Sequence, residues 1–456
     1  MNLSLQPISF KDPSGHVIQK EDGYYRYVSH QYAPEYEHLM HSGLYKTLTD
    51  ASLMIQHQEI EEKEAGNNYY KVLFPQQLEL MTYPYEWVFS QCQEMALALI
   101  RINQVALQYG MILKDATPYN FVFVEGKCML LDSLSFRFFK DGDPWLAYRQ
   151  YCEEILGPLA LMRYNDPCWA RLQQASLRGL PLAFISQQLP LKTWFNTACL
   201  LHIHLHVKFQ NRKENAKQSH AGFSQQKLNI LWDLLQKNIT KWERPLNVHS
   251  IWDQYYENDI EDENYLADKT AFVSQWLAET NPDTTIDLGA NTGKFSFMAA
   301  QYSKQVIAVE NDWNCVEQIR TEGKQKKINN ISTLVADITE PSPALGWANA
   351  EKTALLQRLN GNMVLALALI HHLCLSKNIP LDFIAETIAG ITTKYAIVEF
   401  VSKDDSKAKS LLQHREDIFE EYTEVNFIKS FQTYFNLVDT HGFTRSARKL
   451  FLWEKN

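Results

Sequence analysis

The sequence predicts an α/β chain, a carboxy-terminal half built on a parallel sheet wound with helices and preceded by an α+β half. Three observations lead there. After residue 280, short β-branched runs alternate with helical patterns, and each run ends on a polar side chain. A tight turn, Gly289-Ala290-Asn291-Thr292-Gly293, joins the first of these runs to a helix start. Before residue 245 the order is different, one long amphipathic helix followed by a short hairpin. At 456 residues the chain exceeds one typical core. We place the boundary near Pro245, giving domains 1–245 and 246–456.

In the first half, Val88, Cys92, Met95, Leu99, Ile102, Ala106 and Tyr109 recur at steps of four and three, which predicts a helix with one buried face. Gly110 follows as its C-terminal cap. Next come the loop Leu113-Lys114-Asp115-Ala116-Thr117-Pro118-Tyr119-Asn120, a strand Phe121–Val124, a turn at Glu125-Gly126, a strand Cys128–Leu131, and Asp132. Asp115 and Asn120 are suited to closing the Pro118 turn through side-chain hydrogen bonds. His202, His204 and His206 alternate with Ile203 and Leu205. On a strand they would share a face suited to a metal; on a helix they would diverge and could not chelate. The polar run Gln210–His220 is expected to be a loop, with helix resuming at Leu228. The acidic stretch Asp253–Asp268 carries Tyr255, Tyr256 and Tyr265, which would either cap a pocket or lie in an exposed loop, and a helix follows over Lys269–Ala278.

In the second half, Thr284-Thr285-Ile286-Asp287-Leu288 reads as a strand. Gly289 and Gly293 lack a Cβ, so the turn after it can adopt positive φ and let a ligand approach the main chain. This is a nucleotide-binding pattern. The next strands are Gln305–Val309 ending on Glu310, Ile331–Ala336 on Asp337, Met363–Leu369 on His371-His372, and Lys394–Val398 on Glu399. Ligands of open α/β sheets bind outside the carboxyl ends of the strands, so Asp287, Glu310, Asp337, His372 and Glu399 should converge on one edge. Glu310 lies 21 residues after Gly289, where a carboxylate can accept both hydroxyls of a ribose. A dinucleotide dehydrogenase would instead carry Gly-x-Gly-x-x-Gly to cradle a pyrophosphate.

These residues resemble the class I S-adenosylmethionine-dependent methyltransferases, whose first motif reads Asp-x-Gly-x-x-x-Gly, over roughly residues 246 to 456. The resemblance implies a Rossmann-like seven-stranded sheet whose last pair is a reversed hairpin, here Tyr434–Val438 and Lys449–Trp453. It also implies S-adenosyl-L-methionine as cofactor. Asp287, Gly289, Asn291 and Gly293 would hold its amino-acid part, Glu310 the ribose, and Asp337 with Ile338 the adenine. His371 or His372 would act as a base on an oxygen or small-molecule acceptor, with Glu399 a further catalytic candidate. The Asn-Pro-Pro-Tyr type motif of nitrogen-methylating enzymes is replaced by Ala366-Leu367-Ala368-Leu369-Ile370-His371-His372.

The earlier segment resembles the catalytic segment of protein kinases and aminoglycoside-type phosphotransferases, with Asp115 as the base and Asn120 and Asp132 as magnesium ligands. Lys71 is the candidate for the phosphate-pairing lysine. Departures are Leu113-Lys114-Asp115 for His-Arg-Asp, Asp132-Ser133-Leu134 for Asp-Phe-Gly, and no preceding glycine-rich loop. A degenerate kinase-like domain is the expectation, and phosphotransferase activity or a non-catalytic scaffold the alternatives. Both halves together resemble the nodulation-protein (NoeA-like) bacterial methyltransferases over most of the chain.

Composition narrows the partners. There are 44 basic against 53 acidic residues, a net charge of −9, which leaves no basic footprint for a nucleic-acid duplex. A small-molecule or carbohydrate substrate is expected, with a protein acceptor as alternative. Seven scattered cysteines are typical of reduced thiols, and no structural zinc pattern is present. The start Met1–Pro7 lacks a secretion-signal pattern, and Met363–Leu375 is too short for a membrane span, so a cytoplasmic location is expected.

Overall fold

The computed structural model describes residues 11–61, 68–213, 224–243, 263–413, 417–444 and 446–456. The chain forms two compact units. The first comprises Met1–Pro245 with Ala344–Thr353; the second comprises Leu246–Pro343 with Ala354–Asn456. Tyr255 and Tyr256 lie outside the described residues.

Unit 1 begins with four antiparallel strands, β1 (Gly15–Lys20), β2 (Gly23–Val28), β3 (His57–Ile60) and β4 (Lys71–Pro75), in the order β1-β2-β4-β3. Ile18, Tyr25, Tyr27 and Val72 cluster on this sheet. The periodic segment forms the helix Phe89–Gln108, which buries Cys92, Met95, Leu99, Ile102 and Ala106 as its spacing requires. Gly110 ends it at φ +73°. Beyond it, β5 (Met111–Leu113) pairs with β8 (Phe136–Phe138), and β6 (Phe121–Val124) with β7 (Lys127–Leu130). Glu125 (φ 48°) and Gly126 (φ 76°) both take positive φ, the backbone of a two-residue turn matched to strand twist. The histidine run is helical, spanning a π-helix Leu200–His204 and an α-helix Leu205–Lys213 that extends into the stretch expected to be a loop. His202 and His204 diverge accordingly. His202 Nδ1 meets the Tyr148 hydroxyl at 2.7 Å, and His204 bonds to Ser186 and Thr193.

Unit 2 is a seven-stranded sheet of β9 (Thr284–Leu288), β10 (Gln305–Glu310), β11 (Ile331–Val335), β12 (Gly361–Ala366), β13 (Thr392–Val401), β14 (Phe435–Gly442) and β15 (Arg448–Lys455). The order is β11-β10-β9-β12-β13-β15-β14. The first five run parallel, and β15 enters antiparallel between β13 and β14. All five residues of β9 are buried, as a central parallel strand covered on both faces should be. The pleat divides the core. Leu450 and Leu452 join a cluster with Val273, Trp276 and Leu277 of the helix Glu263–Thr280, while Phe451 and Trp453 meet Phe427 of the helix Glu424–Gln432.

Several element ends differ from the sequence expectation. The first helix of unit 2 starts at Glu263, before the expected Lys269. Strand β12 stops at Ala366, so His371 and His372 sit beyond it at the start of a helical turn. Strand β13 continues to Val401, so Glu399 lies inside the strand and not at its tip. There Glu399 is fully buried and accepts hydrogen bonds from the Tyr265 hydroxyl and, at 2.5 Å, from Lys269 Nζ. Lys269 is 4% exposed, so this is an ion pair taken out of water. Arg448, which pairs with Asp405 at 2.8 Å, also donates to the Tyr265 hydroxyl.

Removing one partner of such a pair strands the other charge. Lys269→Ala should lower the unfolding free energy of unit 2 by about 3–5 kcal/mol in urea titration. The double variant Lys269→Met with Glu399→Leu should recover most of that loss, and a neutral Lys269→Ala would show that the pair does not hold the helix.

Candidate functional site

The glycine turn of unit 2 is built by backbone and carboxylate together. Gly289 N and Ala290 N both donate to Val309 O, at 2.9 and 3.1 Å, which ties the end of β9 to the end of β10. Gly289 has φ +70° and Gly293 φ +86°. A Cβ on Gly293 would lie 2.7 Å from the Ile319 side chain, so this position requires glycine on both conformational and steric grounds. Asn291 also takes positive φ, 50°, and its N–H donates to Glu310 Oε2 at 2.8 Å. Gly293 opens the helix Lys294–Ala299.

Glu310 closes the other side. Its Oε1 accepts from Asp312 N at 2.9 Å, and the Asn311 N–H acts on the same carboxylate, so three backbone N–H groups hold Glu310 in place. Burial raises its pKa. Asp287 is 3% exposed and accepts from Ser296 Oγ at 2.6 Å; burial pushes its carboxyl up to about 6, with Glu310 adding to the rise. Asp337 lies two residues beyond the end of β11, its Oδ1 accepting from Thr339 N and Oγ1, and Ile338 beside it is half-buried. Ala336 N donates to Glu310 O at 2.9 Å, which sets Asp337 beside Glu310. Asp287, Gly289, Asn291, Gly293, Glu310 and Asp337 thus stand at the carboxyl ends of three adjacent strands.

The candidate bases separate. His371 is fully buried, and neither of its ring nitrogens has a hydrogen-bond partner among the described residues. Burial, with His372, Arg448 and Lys269 adding, holds its pKa well below the usual histidine range. His372 stands 4.1 Å from it ring to ring and is half-buried. Its pKa falls to about 4 through burial and the nearby Arg448. Both imidazoles are neutral at pH 7. Glu399 has one oxygen taken by Tyr265 and the other by Lys269; the charges of Lys269 and Arg448, with those two hydrogen bonds, hold its pKa down against the opposing effect of burial. These contacts tie β13 to the helix Glu263–Thr280.

Sequence reading missed Lys269, although a signal existed. Tyr265, Phe272, Val273 and Trp276 form an apolar stripe at helical spacing, and a lysine inside such a stripe calls for a buried acid.

In unit 1, Asn120 Nδ2 donates to Asp115 Oδ1 at 3.3 Å and to Ser135 Oγ at 3.1 Å. Burial raises the Asp115 pKa to about 7, and the charge of Asp132 adds to the rise. The three residues therefore meet. Asp132, however, is ion-paired to Arg26 of β2, an internal cation where a magnesium ion was expected. Lys71 pairs with Glu59 on the neighbouring strand at 2.7 Å. Among the described residues, no group of three or more His, Cys, Asp or Glu is arranged to hold a metal, and no helix is long and apolar enough to cross a membrane.

No protein-family model matches the chain. Among curated proteins, the 23S rRNA (uracil(1939)-C(5))-methyltransferase RlmD of Pseudomonas putida is 28% identical over 90 residues, 19% of this chain and 20% of that protein. Among solved structures, the N-methyltransferase NodS from Bradyrhizobium japonicum WM9, in complex with S-adenosyl-l-homocysteine, matches 45% of this chain and 96% of its own at 11% identity and a TM-score of 0.33. WbdD matches 46% of this chain and 43% of its own, at 16% identity and a TM-score of 0.31. Nodulation protein NoeA of Rhizobium meliloti is similar along nearly its whole length, 30% identical over 464 aligned residues that cover 98% of this chain and 95% of the relative. The chain belongs to the NoeA family.

Proposed function

We propose that unit 2 is an S-adenosylmethionine-dependent methyltransferase acting on an oxygen or small-molecule acceptor, carbohydrates included. The observation that carries this reading is the joined turn: Gly289, Ala290 and Asn291 bonded to the end of β10 and to Glu310, in the centre of a sheet ordered β11-β10-β9-β12-β13-β15-β14. The RlmD relatives, which match short stretches of the chain, are named as methyltransferases.

The residues fit the cofactor. Asp287, Gly289, Asn291 and Gly293 would hold its amino-acid part. Glu310 would accept from the ribose hydroxyls, and Asp337 with Ile338 would border the adenine. When bound, the cofactor supplies a methyl group on a sulfonium. The chain's part is to fix the acceptor in line with that carbon and to shed water, since positioning dominates such a displacement. His372, neutral at pH 7 and more open than the sealed His371, is the group that takes the acceptor's proton. The acidic net charge favours a small or carbohydrate acceptor over nucleic acid.

For unit 1 we propose a kinase-like fold used as a scaffold. The bond between Asn120 and Asp115 supports this reading, and Arg26 neutralises the Asp132 carboxylate that a metal would need.

The reading is tested by thermal shift. S-adenosylmethionine and S-adenosylhomocysteine should each raise the melting midpoint, and magnesium with ATP should not; no response to either sulfur compound overturns the assignment. Asp287→Asn should weaken that response and yet stabilise the free protein at pH 7. The raised pKa of Asp287 means that ionising it in the folded state costs stability as pH rises from about 4 through about 6, about 3 kcal/mol in all, and the amide removes this cost. Urea titrations should show a larger gain at pH 7 than at pH 5, and none at pH 3, below both pKa values. With an acceptor found by screening hydroxylated compounds for S-adenosylhomocysteine release, His372→Gln should slow turnover by about 10²–10⁴-fold with cofactor affinity unchanged. The acid limb of the wild-type profile should lie well below the ordinary histidine value, and unchanged turnover would remove His372 from the mechanism.

A further inference from the structure

The segment Ala344–Thr353 falls between β11 and β12 in sequence but packs as part of unit 1. It is a narrow strap. Leu345 and Lys352 bridge through paired backbone hydrogen bonds of 3.0 Å, and Trp347 N donates to Glu351 at 2.8 Å. Gly346, Ala348 and Asn349 all take positive φ, between 52° and 87°, a strained run for residues other than glycine. An ion pair between Lys11 and Glu351 fastens one side, and Thr353 N donates to the Tyr83 hydroxyl at 3.1 Å.

The strap delivers Lys352 into an aromatic cage. Its ammonium lies 4.3 Å from the centre of the Tyr119 ring and 5.5 Å from that of Tyr83, and the residue is 6% exposed. Among the described residues it forms no ion pair. Glu351 acts on it electrostatically and Glu154 more weakly; Glu154 is 8% exposed, with one carboxylate oxygen buried and without a hydrogen-bond partner. Burial lowers the Lys352 pKa to about 8 and raises that of Glu154 to about 7, so neither charge is comfortably matched by the other. A satisfied structural lysine would use that free oxygen. Two ring faces with one unpartnered carboxylate oxygen make a receptor for an alkylammonium group.

The cage adjoins the Asp115 loop. Glu154 hydrogen-bonds to Thr117 and to Gln150, and Gln150 accepts from Ala116 N at 2.8 Å. Tyr119 directly precedes Asn120, which bonds to Asp115.

We propose that Tyr83, Tyr119 and Glu154 form a binding site for a primary or quaternary ammonium ligand, and that Lys352 is its built-in occupant, displaced when such a ligand binds. The site is independent of the methyl-transfer reading of unit 2. Lys352→Ala empties the cage. Ethylammonium chloride should then raise the melting midpoint of that variant by several degrees over sodium chloride at the same ionic strength. Adding Tyr119→Ala should abolish the difference, and an equal response to both salts in Lys352→Ala overturns the proposal. Should Lys352→Ala not fold, the wild type decides. Tetramethylammonium chloride should speed amide exchange across 344–353 relative to sodium chloride, and unchanged exchange there would identify Lys352 as a fixed structural contact.

Discussion

A carboxylate with no access to water must be paired, and Glu399 is the point on which unit 2 turns. It lies inside β13, two residues before its end, on the face that receives the helix Glu263–Thr280, where apolar packing alone would let the helix slide. Lys269 and Tyr265 reach it from successive turns of that helix, one on each oxygen, so register and rotation are fixed together. Desolvating two charges is expensive, and the arrangement is better understood as specifying geometry than as adding net stability. It also feeds the ligand edge. Lys269 acts on Asp287 and His371 through the low-dielectric interior, so the pair that aligns the helix also sets the charge background of the nearby titrating groups.

What the sequence displayed clearly was whatever depends on local chemistry. Gly289, Gly293, the strand runs around them and the glycine after Tyr109 each encode a backbone state that only a few residues permit, and each appears in place. The hairpin Phe121–Leu130 was legible for the same reason, since Glu125-Gly126 punctuates two apolar runs. Element ends were less legible. The apolar run Met363–Leu369 continues past the last ladder hydrogen bond at Ala366, because burial and strand pairing are separate constraints. Likewise the polar Glu399 looked like a strand end when it was a buried ion-pair partner.

Contacts distant in sequence left little trace. Arg26 and Asp132 are 106 residues apart and meet only because β2 lies over the loop after β7. The alternating histidines were ambiguous between helix and strand, and flanking leucines could not decide; tertiary packing against Tyr148, Ser186 and Thr193 did. The strap carrying Lys352 has no motif at all. Its identity as part of unit 1 follows from where its neighbours are, not from its own residues.

That placement has a consequence for how the protein is made. Unit 1 is a discontinuous unit whose last piece, ending at Thr353, emerges from the ribosome 108 residues after Pro245. Synthesis proceeds at about 5–20 residues per second, so the gap lasts roughly 5–20 s. Through that interval Tyr83, Tyr119 and Glu154 await their lysine while the first strands of the second unit are already being extruded. The amino-terminal unit therefore cannot complete itself as a vectorial, domain-by-domain folder, and its final closure is coupled in time to the birth of β12.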